Sequence, residues 1–553
     1  MDFAYTAPRP PDDGRSPASG ERPWREDLPL CLLASALYVL AFPGQIDWFW
    51  PVAFVALVPL LVALRGASVR RALLLGLAFG VPTHVVGFRW LVPLLVKFSG
   101  FPAPVCVLLL VGFALLQSTR FMLWLGLATF VTRRTGRFFL PFVLAFAVTE
   151  ALVPVAFEWR FAAALHRTPL LQQTAELWGA TGVGVLIVAV NVAITEVLRV
   201  RGRWHERVRF ATETGPIALV LAGVYGVWST ARADAGGVAA PALRVGLLQG
   251  NVPLESHPSE EIAIVQRQLS AHRALQAAGA DLIVWSEGAL PSALLLDGLP
   301  NLVNELLEGG PTVPTFVGAI VVDAGEAGDI GGVRARNSAL LVDGGALLGR
   351  YDKQVLLPFS EYLPFGEAIP SLYALSPASG HFRRGESRAP LRARGHALGV
   401  LICYEDVLPG LARQTVAEGA ELLVNLTNDA WFGDSAEPHA HLALAKLRAI
   451  ETRRYLVRAT NTGVSAIIDP VGRVTHRAPQ HEAATLLGEA RYLTGRTPYV
   501  VWGELPWYAA SLALLALALA GRGRPFTPGQ DDQPPPAAHP AERAEDPNSA
   551  PDD

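Results

Sequence analysis

The chain has 553 residues, of which 51% are hydrophobic and 17% are charged, and its mean hydropathy is +0.32. Ordinary soluble proteins carry about 25% charged residues, so this composition excludes an ordinary soluble protein and indicates a membrane protein with a soluble part. The formal net charge of −3 argues neither for nor against an acidic partner. The chain has no basic patch interleaved with aromatic residues that would indicate nucleic-acid binding.

The first part of the chain divides into a polar tail and a series of apolar segments. Residues 1–27 are rich in Pro, Asp, Gly and Arg and predict a disordered cytoplasmic tail. Residues 28–233 predict a membrane domain of about seven helices, because crossing a bilayer takes about 20 apolar residues. The predicted spans are 28–43, 48–64, 72–96, 104–132, 138–157, 178–198 and 215–233.

The arginines give an expected orientation, because short cytoplasmic loops carry most of the Lys and Arg. Arginine clusters occur in alternate loops, which predicts a cytoplasmic N-terminus and an extracytoplasmic location for the residues after the seventh span. A last apolar segment, 504–521, predicts a C-terminal transmembrane helix that returns the chain to the inside. Residues 522–553 are rich in Pro, Ala and Asp and predict a second disordered cytoplasmic tail.

Residues 242–497 differ in kind from the apolar segments that flank them. Short apolar runs alternate here with helical patterns, which is typical of an α/β domain whose sheets are covered by helices. We therefore expect a single layered domain on the extracytoplasmic face of the membrane. The predicted strands are 245–249, 281–285, 315–322, 338–342, 397–403 and 421–426.

Cys403 ends one of these predicted strands and precedes a predicted helix start. The other two cysteines, Cys31 and Cys106, lie in apolar spans, so Cys403 has no obvious disulfide partner. A thiol in this position would have its thiolate stabilised by the backbone and the helix N-terminus, which suits an acyl-transfer nucleophile. The other interpretation is a small buried core cysteine.

Glu287 and Lys353 also follow apolar runs in this domain. Burial would raise the pKa of the Glu287 carboxyl toward the range of a general base, and Lys353 would offer a fixed positive charge to an oxyanion. Taken singly, each pattern is more often that of a solvated loop residue. Together with Cys403 they predict a cysteine nucleophile with a carboxylate base and a cationic oxyanion group.

The order Glu, Lys, Cys within an α/β domain resembles the nitrilase, or carbon–nitrogen hydrolase, superfamily. The spans before and after the domain narrow the resemblance to the apolipoprotein N-acyltransferase family, which the segments 248–251, 425–433, 447–451 and 458–465 support. It implies an α-β-β-α sandwich on the periplasmic side of the bacterial inner membrane. The chain has no Gly-rich phosphate loop followed by Lys-Ser/Thr and no convincing metal-ligand spacing, so we expect no cofactor or metal. Subunits of the soluble superfamily often pair, but a membrane tether opposes pairing, so we expect a monomer.

The resemblance implies a ping-pong transfer. Cys403 would take a fatty acyl chain from a phospholipid as a thioester and pass it to the α-amino group of the diacylglyceryl-cysteine of an apolipoprotein. Glu287 would serve as base, and Lys353 with the backbone N–H of Tyr404 would hold the oxyanion.

Two further carboxylates, Glu361 and Glu405, match acids that the family keeps near the site. They would orient Lys353 and tune the thiol, although loop acids in local salt bridges are a competing interpretation.

The sequence departs from the family pattern in three places. Ser286 replaces the proline of the family's Trp-Pro-Glu base motif, residues 253–257 lack the family's Lys-Trp pair, and Glu158 stands where the family has proline. His439 and His441 lie two residues apart, which does not place two metal ligands on one helix face.

Two alternatives remain open from the sequence. One is a membrane-tethered amidase that uses the same three residues with water as the acceptor. The other is a non-catalytic membrane scaffold.

Overall fold

The computed structural model describes residues 22–199, 204–253, 257–306, 312–324, 333–374, 376 and 379–521. The predicted tail at 522–553 and residues 1–21 of the other predicted tail lie outside these ranges. The first helix begins at Trp24, so it starts within the segment predicted as a tail. The α-helices are α1 (Trp24–Leu40), α2 (Val58–Ala63), α3 (Val69–Gly87), α4 (Leu91–Ser99), α5 (Ala103–Thr135), α6 (Phe139–Leu152), α7 (Pro169–Gln172), α8 (Ala175–Arg199), α9 (Trp204–Val238), α10 (Pro258–Ala277), α11 (Leu299–Leu306), α12 (Pro409–Ala417), α13 (Glu437–Thr452), α14 (Pro498–Trp502) and α15 (Leu505–Ala520).

Within the described residues, three helices are long and apolar enough to cross a membrane, namely α3, α5 and α8. Helices α6 and α15 are apolar but shorter. The span predicted at 48–64 is a 3-10 segment followed by the short α2, and the span predicted at 72–96 divides into α3 and α4. The number of crossings therefore stays a prediction.

The α/β domain contains two mixed sheets. In the first, the strands lie in the order β13-β1-β2-β4-β5-β6, with β3 beside β4, and in the second the order is β12-β11-β10-β9-β8-β7. Each of the six predicted strands is confirmed, with ends shifted by a few residues. The strands are β1 (Ala242–Gln249), β2 (Leu282–Trp285), β3 (Leu294–Leu295), β4 (Thr315–Ala324), β5 (Val333–Asp343), β6 (Ala346–Asp352), β7 (Leu391–Ala393), β8 (His396–Ile402), β9 (Leu422–Thr427), β10 (Leu456–Thr460), β11 (Ala466–Ile468), β12 (Val474–Arg477) and β13 (Ala484–Arg491).

The two sheets pack face to face, and helices cover their outer faces. Leu247 and Val284 of the first sheet share one buried core with Val400 and Val424 of the second. On the outside, α10 and α11 cover the first sheet, and α12 and α13 cover the second. Alternate residues along each strand therefore face two different apolar layers, which explains the continuous apolar runs. The predicted α-β-β-α sandwich is confirmed.

The strand directions bring several strand ends to one edge of the sandwich. Strands β1, β2 and β4 are parallel, and β6 runs in the same direction because β5 is antiparallel to both β4 and β6. In the second sheet, β8, β9 and β10 are parallel. Loops that leave the carboxyl ends of β2, β6, β8 and β9 thus meet beside the membrane helices.

Candidate active site

Glu287, Lys353 and Cys403 follow β2, β6 and β8, and the fold brings them together at this edge. All three are buried, with 8%, 1% and 2% of their surfaces exposed, and all three line a single cavity. The Lys353 Nζ lies 3.4 Å from Glu287 Oε1. Three residues that are far apart in sequence thus bring a carboxylate, an ammonium and a thiol to one place.

Glu361 and Asn337 complete the polar contacts around this lysine. The Glu361 Oε1 lies 3.0 Å from Lys353 Nζ, and its Oε2 accepts the backbone N–H of Leu357 at 2.9 Å. The Asn337 side-chain amide donates to Glu287 Oε1 at 2.6 Å and to Glu361 Oε1 at 2.9 Å. Lys353 and the Asn337 amide together hold the two carboxylates side by side. Without them, the two buried negative charges would repel each other.

Asn337 was missed in the sequence, although a signal was present. It is a polar residue inside β5, two residues before the buried apolar run from Ala339 to Val342. A buried amide in a strand needs hydrogen-bond partners, so such a residue marks a polar site on that face of the sheet.

The turn that begins at Cys403 is held in a strained conformation, and we call it the nucleophile turn after the role predicted for Cys403 from the sequence. Cys403 has φ +51°, which is uncommon for a residue with a side chain and costs about 1–3 kcal/mol. It opens a five-residue 3-10 turn, Cys403–Val407, directly after β8. With this positive φ, the Cys403 thiol leaves the direction of the strand and lines the same cavity as Glu287 and Lys353.

Glu405 holds this turn against the segment that carries Lys353. Its carboxylate accepts the backbone N–H groups of Ile402, Gln354 and Val355 at 2.6 to 3.0 Å and the hydroxyl of Tyr351 at 2.9 Å. Glu405 therefore acts on the backbone next to Lys353, while Glu361 contacts the ammonium itself.

The protonation states favour proton transfer at the moment of attack. Burial raises the pKa of the Glu287 carboxyl, and Lys353 opposes that rise. Burial alone would lower the pKa of Lys353, but Glu361 and Glu287 raise it well above its usual value. Lys353 is therefore charged, and Glu287 is a base of increased strength.

The expectation of a stabilised resting thiolate is wrong. Burial, and then the negative charge of Glu287, raise the pKa of the Cys403 thiol well above its usual value, and Lys353 only partly compensates. The element after Cys403 is a short 3-10 turn, which has too few aligned peptides to stabilise an anion strongly. Cys403 is thus a neutral thiol at rest and needs a base to become a nucleophile.

Tyr404 ties the nucleophile turn to the membrane domain. Its hydroxyl oxygen accepts the backbone N–H of Glu158 at 2.9 Å, and its ring packs on Phe157 with centroids 4.5 Å apart. The carboxylate of Glu158 pairs with Arg160 at 3.1 Å. Arg120, an arginine of the apolar span α5, pairs with Glu150 at 3.3 Å, so this buried charge is compensated.

The cavity has a volume of about 810 Å³ and runs from the buried constellation to the outside of the membrane helices. Leu91 and Leu94 of α4, and Leu108 and Leu116 of α5, line it. Leu108 and Leu116 have 70% and 53% of their surfaces exposed, so this wall continues onto the outer face of α5. Phe432 and Trp431, whose place was open in the sequence, also line the cavity.

One buried cluster near the site has the residue types of a metal centre. Asp429, Glu437 and His441 bring ligand atoms within 4.8 Å of one another. However, both ring nitrogens of His441 face carboxylate oxygens, and the guanidinium of Arg458 contacts Asp429 at 3.1 Å. Both Asp429 and the ring nitrogens of His441 are thus already engaged in ion pairs.

Comparisons with known proteins agree with this architecture. The family model for carbon-nitrogen hydrolases matches residues 244–494, and the model for the apolipoprotein N-acyltransferase N-terminal domain matches residues 34–193. Proteins named apolipoprotein N-acyltransferase from Geobacter metallireducens and Methylococcus capsulatus are 30% and 33% identical. These alignments cover 90% and 86% of this chain and 96% and 94% of the relatives. The chain belongs to the apolipoprotein N-acyltransferase family.

Proposed function

We propose that this protein transfers a fatty acyl chain from a membrane phospholipid, through a thioester on Cys403, to the α-amino group of the N-terminal diacylglyceryl-cysteine of an apolipoprotein. The observation that carries the proposal is the cavity, which joins the buried Glu287, Lys353 and Cys403 to outward-facing leucines of α5. An apolar wall that is continuous with a spanning helix gives an acyl chain a path from the bilayer to the thiol. The names and the full-length coverage of the relatives agree with this activity.

In the first half-reaction, Glu287 takes the proton of Cys403 as the sulfur attacks the ester carbonyl. Lys353 and the backbone N–H of Tyr404 stabilise the oxyanion that forms. The ester C–O bond then breaks, and Glu287 returns the proton to the departing lysophospholipid oxygen. Because the thiol is neutral at rest, this proton transfer is an essential part of the step.

In the second half-reaction, the neutral α-amino group of the acceptor attacks the thioester carbonyl. Glu287 takes one proton from the amine, the same groups stabilise the oxyanion, and the C–S bond breaks. The proton returns to the sulfur, which restores the thiol. An apolar pocket keeps water scarce, so the thioester can persist until the amine arrives.

The same proposal includes the placement of the protein. We infer an inner-membrane protein with its α/β domain on the periplasmic side, because the arginine-rich loops alternate along the chain and lipoprotein substrates would reach the site from the outer leaflet. We also infer a monomer, because the membrane tether opposes pairing of the α/β domains.

Intact-protein mass spectrometry tests the proposal. The purified protein is incubated with phospholipid and no acceptor, in parallel with Cys403→Ala. We expect a mass increase of one acyl chain in the wild type only. A diacylated lipopeptide with a free α-amine should remove the adduct and gain the acyl chain.

The matched control is the same lipopeptide with its α-amine acetylated, which should leave the adduct in place. If no adduct forms and the lipopeptide is never acylated, the proposal is wrong. If water discharges the adduct as fast as the free amine does, the protein is a hydrolase, as in the amidase alternative.

A further inference from the structure

Four charged side chains form a closed cluster behind the nucleophile turn, which we call the charge ring: Asp406, Asp429, His441 and Arg458. The two ring nitrogens of His441 lie 2.7 Å from Asp406 Oδ1 and 3.1 Å from Asp429 Oδ1. The guanidinium of Arg458 donates to Asp406 and, at 3.1 Å, to Asp429 Oδ2. Each cation thus bridges both carboxylates.

The charge ring is buried and electrically balanced. At most 2% of the surface of any of its four residues is exposed. Two carboxylates face one guanidinium and one imidazole, and an imidazole can donate to two carboxylates only when both nitrogens are protonated. Burial and Arg458 lower the pKa of His441, but Asp406 and Asp429 raise it to about 10. The ring therefore holds two positive and two negative charges, as burial of ions requires.

The charge ring is joined directly to the strained turn. Asp406 belongs to the 3-10 turn that Cys403 opens. Arg458 also donates to Asn425 Oδ1 at 3.1 Å, and the Asn425 amide donates to the backbone carbonyls of Leu401 and Cys403 at 3.2 and 3.3 Å. The ring is thus bonded to the backbone on both sides of the nucleophile.

None of the four residues lines the cavity, so the charge ring does not reach a substrate placed there. Its charges nevertheless act on the thiol, because Asp429 raises the pKa of Cys403. Asp429 is also held closely in place, since a Cβ on Gly463 would lie 2.0 Å from its Oδ2. Residue 463 must therefore be glycine for the ring to close.

We propose that Asp406, Asp429, His441 and Arg458 are positioning residues that hold the Cys403 turn in its strained conformation and keep the charge behind the thiol balanced. This inference rests on the proposed acyl transfer, which it deepens by assigning the ring to thioester formation. The ring acts through backbone contacts and through its net charge.

The test compares two substitutions in the full-length protein, one that removes a negative charge from the ring and one that removes a positive charge. Asp429→Asn removes a negative charge with little change of shape, and Arg458→Gln removes a positive charge. We expect both to slow single-turnover thioester formation by about tenfold or more, because small displacements of a nucleophile have effects of this size or larger. Alkylation of Cys403 by iodoacetamide should show pH midpoints displaced in opposite directions, downward for Asp429→Asn and upward for Arg458→Gln.

Glu437→Gln is the matched control, because Glu437 lies beside the ring, 3.9 Å from His441 Nδ1. Burial raises the pKa of Glu437 to about 8, so glutamine resembles its protonated form at pH 7. Its thioester formation should stay within about twofold of the wild type. If Arg458→Gln fails to fold, His441→Gln takes its place with the same expected upward displacement.

The outcomes separate the two proposals. If the wild type forms no thioester, the proposed function fails. If the wild type forms it and Asp429→Asn does so at the wild-type rate, the inference about the ring is wrong. If the pH midpoints of Cys403 alkylation are displaced in the same direction in both variants, the inference about the ring is also contradicted. A general loosening of the turn would not depend on the sign of the charge that was removed.

Discussion

Lys353 carries a positive charge in a site where almost none of its surface is exposed, and its neighbours determine what that charge can do. Glu361 and Glu287 both contact its ammonium, so the lysine is shared between two carboxylates. When an oxyanion develops in the cavity, it competes for the same ammonium, and Asn337 keeps the carboxylates in place. The balance of these contacts is the residue-scale basis of the proposed chemistry.

Substituting Asn337 tests this balance. Asn337→Asp should reduce the single-turnover rate of thioester formation by about a hundredfold, because it removes the donor and adds a third buried carboxylate. Asn301→Asp is the control, since it adds the same charge at an exposed position of α11. Equal rates for the two variants would contradict a role for the Asn337 amide.

The pH dependence of thioester formation tests Glu287. Burial raises the pKa of this carboxyl, and only its ionised form can accept the thiol proton. The rate of thioester formation should therefore rise as the pH rises through this pKa, and it should be low at pH values below this pKa. Glu287→Gln should lose about 10²-fold or more in rate together with this acid limb, as measured by acyl-enzyme mass spectrometry over a pH series. An unchanged acid limb in the variant would mean that another group is the base.

At the scale of elements, the loop after β2 approaches β4 closely. A Cβ added to Gly318 would lie 2.2 Å from the backbone oxygen of Ser286 and 2.8 Å from the Cα of Glu287. The sequence lacks the family's proline in this loop, which left the shape of the loop open. That shape is thus set by Gly318 on the neighbouring strand.

Gly318→Ala should displace the loop and with it Glu287. We expect thioester formation to fall by about a hundredfold. The pH midpoint of Cys403 alkylation by iodoacetamide should move downward, because the charge of Glu287 raises the pKa of the thiol. The control is Gly410→Ala on α12, where a Cβ has no neighbour within 4 Å. A normal thioester rate in Gly318→Ala would show that the loop tolerates displacement.

A second element-scale contact fixes the segment before residue 254. The Asn461 side chain pairs with the Val252 backbone, accepting its N–H and donating to its carbonyl, both at 2.7 Å. Val252 and Asn461 both line the cavity. The chain thus uses an amide pair to hold this cavity wall, at a place where the sequence lacks the family's aromatic residue.

At the scale of the whole molecule, one buried contact joins the membrane helices to the nucleophile turn. Helix α8 is interrupted at Gly179, which has φ +67°, and the Ala180 N–H donates to Glu451 Oε1 at 2.8 Å. Arg448 donates to that same oxygen at 2.9 Å and to the Val407 carbonyl at 2.7 Å. The break in α8 leaves an N–H without a helical partner, and α13 of the other domain satisfies it.

Glu451→Ala should lower the free energy of unfolding by about 3–5 kcal/mol, because it leaves a buried arginine and a buried N–H without their partner. Thermal unfolding of the detergent-solubilised protein measures the loss. Glu451→Gln keeps an acceptor for Ala180 and should lose less. Asp234→Asn, which removes an exposed partner of Arg473, should cost at most about 1 kcal/mol. Equal losses of unfolding free energy for Glu451→Ala and Asp234→Asn would contradict a stabilising role for the contacts that Glu451 makes with Ala180 and Arg448.

Some of this could be read from the chain itself, because it depends on local patterns. Apolar runs predicted the six strands and an apolar helical region, although not the division of that region into helices, and the positions of Glu287, Lys353 and Cys403 at strand ends pointed to one site. These features depend on which residues are neighbours in sequence, where periodicity and hydrophobicity act. The local patterns of the sequence therefore determined the two-part architecture, the layered α/β class of the second part and the residues that could do chemistry. The α-β-β-α sandwich was implied by the family resemblance.

Tertiary structure alone decided how those residues are tuned. The bridge from Asn337 to Glu287 spans 50 positions, and the charge ring connects Asp406 to an arginine 52 positions away. The neutral resting state of Cys403 comes from its burial, and the break in α8 is satisfied by a residue 271 positions away. Burial, charge compensation and hydrogen-bond partners depend on distances in space, which no local pattern in the chain specifies.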